Sequence, residues 1–253
     1  MASYTPSALE SRIAFVKSLL RAARTVAYRG RKSPDARTWR PEWLPVWIAT
    51  DTESRVHPHS PEERAELFLA HNAGSTEIEV LNWLHATVCL LKPERILETG
   101  AADGLGTLAL ARACRANGFG TVHSIEIDPA LCRHGVALLQ RYGVARYATF
   151  HAEDSRAFLS RTDLTFDFAW FDSMCELRAD EYAICRSRGI LRGPAAFHDT
   201  SALRTRTLTD WPNQAQHAEY RRRLLEAARQ PGVSAFESTL SRGLFVLFPS
   251  PKA

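Results

Sequence analysis

Residues Arg95–Ala113 read RILETGAADGLGTLALARA. An apolar run ends at Glu98, the glycines Gly100, Gly104 and Gly106 follow, and a helical pattern of small and apolar residues begins. Strand, glycine loop and helix are the usual parts of a site for a nucleotide-like ligand. A helix start offers unpaired backbone N–H groups, and glycine lets the backbone approach what they hold. The glycine spacing separates the ligand classes. A dinucleotide fold wants G-x-G-x-x-G, and this loop has G-x-x-x-G-x-G. A triphosphate loop wants a lysine after its last glycine, but no lysine occurs between Lys92 and Lys252. The loop carries Glu98 and Asp103 and no cation, which suits a cationic or zwitterionic ligand better than a polyphosphate.

Working outward, short apolar runs alternate with helical stretches. The runs are RILETG, TVHSIEI, YATFHA, FDFAWFD and GPAAFHD, with helices expected near 105–117, 129–141, 154–161 and 177–187. That order implies a parallel sheet with helices on both faces. After a helix at about 215–229, VSAFEST and RGLFVLF are joined too closely for a parallel crossover, so they pair antiparallel or lie apart. On the N-terminal side, residues 8–28 show a helical period, and 31–63 hold five prolines and three tryptophans (Trp39, Trp43, Trp47). Ser60 before Pro61 and two glutamates is a helix start, and a further helix spans about 76–91. The expected organisation is a helical N-terminal cap with a Pro/Trp-rich loop over 1–92, followed by a Rossmann-like α/β domain over 93–253. Its sheet is mostly parallel with an antiparallel C-terminal strand.

The chain has 253 residues, 24% of them charged, with a formal net charge of +4 that is spread along the sequence. A nucleic-acid binder would more often show a dense basic stripe, so no nucleic-acid partner is expected. Five cysteines without a CxxC pair argue against both a disulfide framework and a zinc site. No stretch approaches a membrane span, and the N-terminus reads as an ordinary amphipathic helix rather than a transit peptide. A cytoplasmic location is the expectation.

Glu98-Thr-Gly100-Ala-Ala-Asp-Gly104-Leu-Gly106 resembles motif I of the class I methyltransferases that use S-adenosylmethionine. TVHSIEID (121–128) is similar to that family's second strand, where the matching acid, Glu126, takes the ribose hydroxyls. HAEDSRAFL (151–159) resembles the motif that contacts adenine, at Asp154 and Ser155. FDFAWFD (166–172) is similar to the fourth strand and LRGPAAFHD (191–199) to the turn and fifth strand. The resemblance runs through the core, about two thirds of the chain. It implies cofactor contacts from Glu98, Gly100, Ala101, Gly104, Thr107, Glu126, Ile127, Asp154, Ser155 and Asp172.

The strand-end acids look most like those of small-molecule O-methyltransferases, some of which hold a divalent metal there. The matching residues are Asp172 and Asp199, with His198 or Thr200 beside them. The resemblance therefore implies O-methylation of a small hydroxylated molecule, with Mg2+ at Asp172 and Asp199 as an option. Two carboxylates at neighbouring strand ends would converge on the crevice where open α/β sheets bind ligands. Where catechol-type relatives carry a lysine base, this chain has Cys175. His198, beside Asp199, is the substitute base, and Asp172, Asp199 and His198 form the expected catalytic set. His57 and His59 fall in a loop expected to be exposed. Alternatives are N-methyl or aminopropyl transfer, or a non-catalytic binding or assembly protein of the same fold. A homodimer is a further option.

Overall fold

The computed structural model describes residues 76–202, 214–238 and 242–250. The expected helix over 8–28, the helix start at Ser60, the three tryptophans and His57 and His59 lie outside the described residues.

Helix α1 (Ile78–Leu91) leads into β1 (Arg95–Thr99), α2 (Leu105–Asn117), β2 (Thr121–Glu126), α3 (Pro129–Arg141) and β3 (Ala148–Ala152). Then follow α4 (Ser155–Arg161), β4 (Phe168–Phe171), α5 (Cys175–Ser187), β5 (Ala195–His198), α6 (Gln214–Ala228), β6 (Val233–Ser238) and β7 (Leu244–Pro249). The helices begin where the sequence supplies partners for their free N–H groups. Asp128 Oδ1 accepts from Ala130 N at 2.7 Å before Pro129 opens α3. Asp154 Oδ1 accepts from Ala157 N at 3.0 Å at the start of α4.

The strands form one seven-stranded sheet in the order β3-β2-β1-β4-β5-β7-β6. Pairing is parallel from β3 to β5, and β7 runs antiparallel between β5 and β6. The short link between VSAFEST and RGLFVLF therefore resolves as an antiparallel pair. Because successive side chains alternate faces, the central strands divide their apolar residues between two cores. Ile96, Trp170, Ala196 and Val246 pack on one face with α1, α2 and α3. Leu97, Phe171, Phe197 and Phe245 pack on the other with α4, α5 and α6. Strands β4 and β5 are buried throughout, as expected for a sheet covered on both sides. Helix α1 lies in the first of the two expected units, and its Val80, Leu81, Leu84 and Val88 are buried in the first core beside Leu108.

The chain runs from β1 outward to β2 and β3, then returns to place β4 on the other side of β1. The strand order thus reverses at β1, and a crevice opens there beyond the carboxyl ends of the strands. None of the described helices is long and apolar enough to cross a membrane.

Candidate functional site

A cavity of about 620 Å³ occupies this crevice, within the range of small-molecule and cofactor sites. Its walls include Gly100 and Ala102 after β1, Glu126 and Ile127 after β2, and Asp154 and Ser155 after β3. The segment after β4, from Asp172 to Arg178, adds a further wall, and Asp199 and Arg242 close the last side.

The loop after β1 can lie this close to the loop after β4 only because Gly100 has no side chain. Its φ is +78°, and a Cβ there would stand 2.5 Å from the Asp172 carbonyl oxygen. The next turn presents its backbone to Glu126. Ala102 N donates to Oε2 at 2.9 Å and Asp128 N donates to Oε1 at 3.0 Å. Each oxygen of this carboxylate thus accepts one backbone hydrogen bond and keeps room for another donor. Asp154 lines the cavity while capping α4, and the Ala157 N–H holds its carboxyl below the usual range.

Two buried carboxylates lie behind these walls. Glu98 Oε2 accepts from Thr107 Oγ1 at 2.5 Å and from Ser124 Oγ at 2.6 Å. Gly106 makes room for it, since a Cβ there would collide with Glu98 Oε1. Burial pushes the Glu98 carboxyl up to about 7, against the opposing pull of the two hydroxyl donors. Glu181, from α5, accepts from Thr99 Oγ1 and Ser173 Oγ, each at 2.8 Å, and from Ser155 Oγ. Burial raises its carboxyl as well, although these donors oppose the shift. One side chain thereby ties the segments after β1, β3 and β4 together.

The β4 and β5 ends form a third cluster. Asp172 Oδ1 accepts from Arg178 Nη2 at 3.0 Å and from His198 Nδ1 at 2.9 Å, while Oδ2 accepts from Thr76 Oγ1 at 2.8 Å. Asp199 sits at φ +56°, an uncommon conformation for a residue with a side chain. Its Oδ1 accepts from Arg242 Nε at 2.7 Å, and its Oδ2 from Arg178 at 3.3 Å and Arg242 Nη2 at 3.2 Å. Arg178 also donates to the carbonyls of Ser173 (2.7 Å) and His198 (2.6 Å). His198 Nε2 lies 2.5 Å from Glu77 Oε2. Burial alone would lower the His198 pKa, but Asp172, Asp199 and Glu77 outweigh it and raise it to about 9. Glu77 is held at about 2, because His198 and Arg242 overcome the opposing effect of burial.

The cavity therefore gathers Gly100, Glu126, Ile127, Asp154, Ser155, Asp172 and Asp199 from the expected set. Glu98, Ala101, Gly104, Thr107 and His198 are not among its lining residues. Glu98 and Thr107 bond each other beneath the loop, and Gly104 opens α2 at φ +85°. His198 is 1% exposed and directs both ring nitrogens at carboxylates. A general base needs a free lone pair within reach of the substrate proton, so this geometry opposes the base role expected of His198.

Asp172, His198 and Asp199 bring potential ligand atoms within 4.8 Å of one another. Spacing alone would admit an ion. The partners of those atoms do not, because guanidinium groups already occupy both Asp199 oxygens and the histidine offers no free nitrogen. The donor set does not fit the Mg2+ expected at Asp172 and Asp199. Sequence reasoning missed Glu77, Arg178, Glu181 and Arg242. The last carried no local signal, whereas Arg178 and Glu181 follow the strand-four acid on the next helix and could have been weighed.

Residues 97–200 match the model of a family described as a methyltransferase domain. No curated protein matches the sequence significantly. Among solved structures, the chain is similar to the O-methyltransferase TomG of Streptomyces achromogenes, involved in tomaymycin synthesis and solved with SAM. The two are 19% identical with a TM-score of 0.59, over 70% of this chain and 82% of that one. It is similar to the SAH-bound methyltransferase PaMTH1 of Podospora anserina, at 18% identity and TM-score 0.60, over 99% of this chain and all of that one. An O-methyltransferase of Bacillus cereus in complex with SAH gives 17% identity and TM-score 0.57, over 70% and 84% of the two chains. At these identities the likeness is one of fold.

Proposed function

From a chain with the class I methyltransferase fold, matched over residues 97–200 by a methyltransferase-domain family, we propose that the protein moves a methyl group from S-adenosylmethionine to an oxygen of a small hydroxylated molecule. An acceptor oxygen lone pair attacks the methyl carbon. The new O–C bond forms as the C–S bond breaks, its electron pair stays on sulfur to give S-adenosylhomocysteine, and the acceptor hydroxyl passes its proton to the Asp172 carboxylate. Such a displacement asks mainly for in-line positioning, with proton acceptance where the hydroxyl is weakly acidic.

The observation that carries this reading is Glu126, whose two oxygens are oriented by backbone N–H groups on the cavity wall. In that role it accepts the two ribose hydroxyls as charge-assisted hydrogen bonds. Asp154 and Ile127 flank the adenine, and the Gly100 turn lies against the rest of the donor. On the acceptor side, Asp172 is the acid that meets the hydroxyl. It lines the cavity, and among the described residues its Oδ2 accepts only from Thr76. Asp199 is the weaker candidate, since guanidinium groups hold both its oxygens.

Isothermal calorimetry with S-adenosylhomocysteine tests the donor side, and a protein that does not bind it is not a methyltransferase of this kind. For the acceptor side, Asp172→Asn is expected to keep product affinity within roughly threefold while slowing methylation of hydroxylated acceptors by about a hundredfold or more. Unchanged turnover in that variant would remove Asp172 from the acceptor site.

A further inference from the structure

We propose that the acid cluster at the ends of β4 and β5 is a charge-paired ion network in which Arg178 and Arg242 take the place of a divalent cation, so that the site neither binds nor needs one. That it needs none rests on the methyltransferase reading; that it binds none does not.

The argument begins with lone pairs. A hard divalent ion takes oxygen ligands and needs their lone pairs directed at it. Asp199 has a guanidinium on each oxygen, Arg242 at 2.7 Å on Oδ1 and both arginines on Oδ2. Asp172 Oδ1 holds two donors, Arg178 and His198, which leaves Oδ2, bonded to Thr76, as a lone oxygen ligand for an ion. His198 faces Asp172 with one nitrogen and Glu77 with the other, so both nitrogens must donate and neither can ligate. Among the described residues, three carboxylates (Glu77, Asp172, Asp199) meet three cationic groups (Arg178, Arg242, His198). Within this set of six the charges balance, so it offers a cation no net negative charge. Arginine suits this role because its charge is permanent and its planar fork matches a carboxylate edge.

The same contacts make Arg178 a positioning residue. From α5 it holds the Ser173 and His198 carbonyls together with both strand-end acids, and it thereby sets the wall of the cavity next to Asp172. A metal ion would hold the two strand ends through their carboxylates alone.

The probes are Mn2+ and Mg2+ on the full chain. The wild-type protein is expected to leave the paramagnetic resonance signal of Mn2+ undiminished. Its melting temperature and its affinity for S-adenosylhomocysteine should be the same in EDTA and in about 1 mM of either ion. Stoichiometric Mn2+ binding that Mg2+ displaces would overturn the proposal. Failure to bind S-adenosylhomocysteine in any of these buffers would remove the methyltransferase reading and leave the ion network standing. Arg178→Gln and Arg242→Gln each withdraw one cation from the acids. A folded variant of either kind should bind Mn2+ at least roughly tenfold more tightly than the wild type. A folded variant without that gain counts against the substitution of arginine for metal. Should both fail to fold, the wild-type titration still decides.

Discussion

Each oxygen of Glu126 accepts one backbone hydrogen bond before any ligand arrives, so the carboxylate is oriented without the cofactor's help. Glu126→Ala would remove two charged acceptors from the donor and leave the Ala102 and Asp128 N–H groups facing solvent or the cavity. A loss of about 2–4 kcal/mol follows, which calorimetry would read as roughly 30- to 1000-fold weaker S-adenosylhomocysteine binding. An affinity within a factor of about three would take Glu126 out of the ribose contact. Gly100 is constrained by space as well as by conformation. Gly100→Ala places a methyl group 2.5 Å from the Asp172 carbonyl at φ +78°. The strain and overlap cost about 2–4 kcal/mol. The variant should therefore melt several degrees lower and lose donor affinity, and a melting curve superimposable on the wild type would contradict the close approach.

Among the elements, α5 does more than cover the sheet. Its Glu181 gathers the hydroxyls of Thr99 at the end of β1, Ser155 at the start of α4 and Ser173 after β4, one beside each of three loops around the cavity. Glu181→Ala would leave the buried hydroxyls of Thr99 and Ser155 and the half-buried one of Ser173 without this acceptor, at about 1–3 kcal/mol for each where no water enters. Glu181→Gln keeps one acceptor oxygen and should fall between. The expected order of melting temperature and of S-adenosylhomocysteine affinity is wild type, then Gln, then Ala. Equal affinity in all three would mean that the loops hold their positions without α5. Elements such as these were legible in the sequence because their signals are local. Apolar runs, helical periods and the glycine turn each lie within a few residues of what they specify. The partners of the strand-end acids were not legible. Glu77 meets His198 across 121 positions and Arg242 meets Asp199 across 43, and no periodicity marks such pairs. Glu98 was visible as a loop acid, but its placement beneath the loop depends on the space at Gly106 and on the hydroxyls of Thr107 and Ser124.

Over the whole molecule, the buried charges bind the site's chemistry to the stability of the fold, and pH should expose the link. Glu98 rises from an ordinary value of 4.5 to about 7 and His198 from 6.5 to about 9. A group raised on folding stabilises the native state fully below its unfolded value, and that contribution is lost as pH climbs through the folded one. The loss thus falls between 4.5 and 7 for Glu98 and between 6.5 and 9 for His198. Glu77 works in the opposite sense. Held at about 2 instead of 4.5, it stabilises the fold above 4.5 and fails only as pH falls toward 2. Each shift spans on the order of 3 kcal/mol, and a chain of this length loses about 2–4 °C per kcal/mol. Melting temperature should therefore be highest near pH 5 and fall by roughly 10 °C or more toward pH 9. Glu98→Gln separates the two contributions. Its amide cannot ionise, so the slope between about pH 5 and 7 should flatten while the fall toward pH 9, which belongs to His198, persists. A melting temperature that rises from pH 6 to 9 in the wild type would contradict the raised values at both sites. An unaltered lower slope in Glu98→Gln would remove Glu98 alone from the explanation.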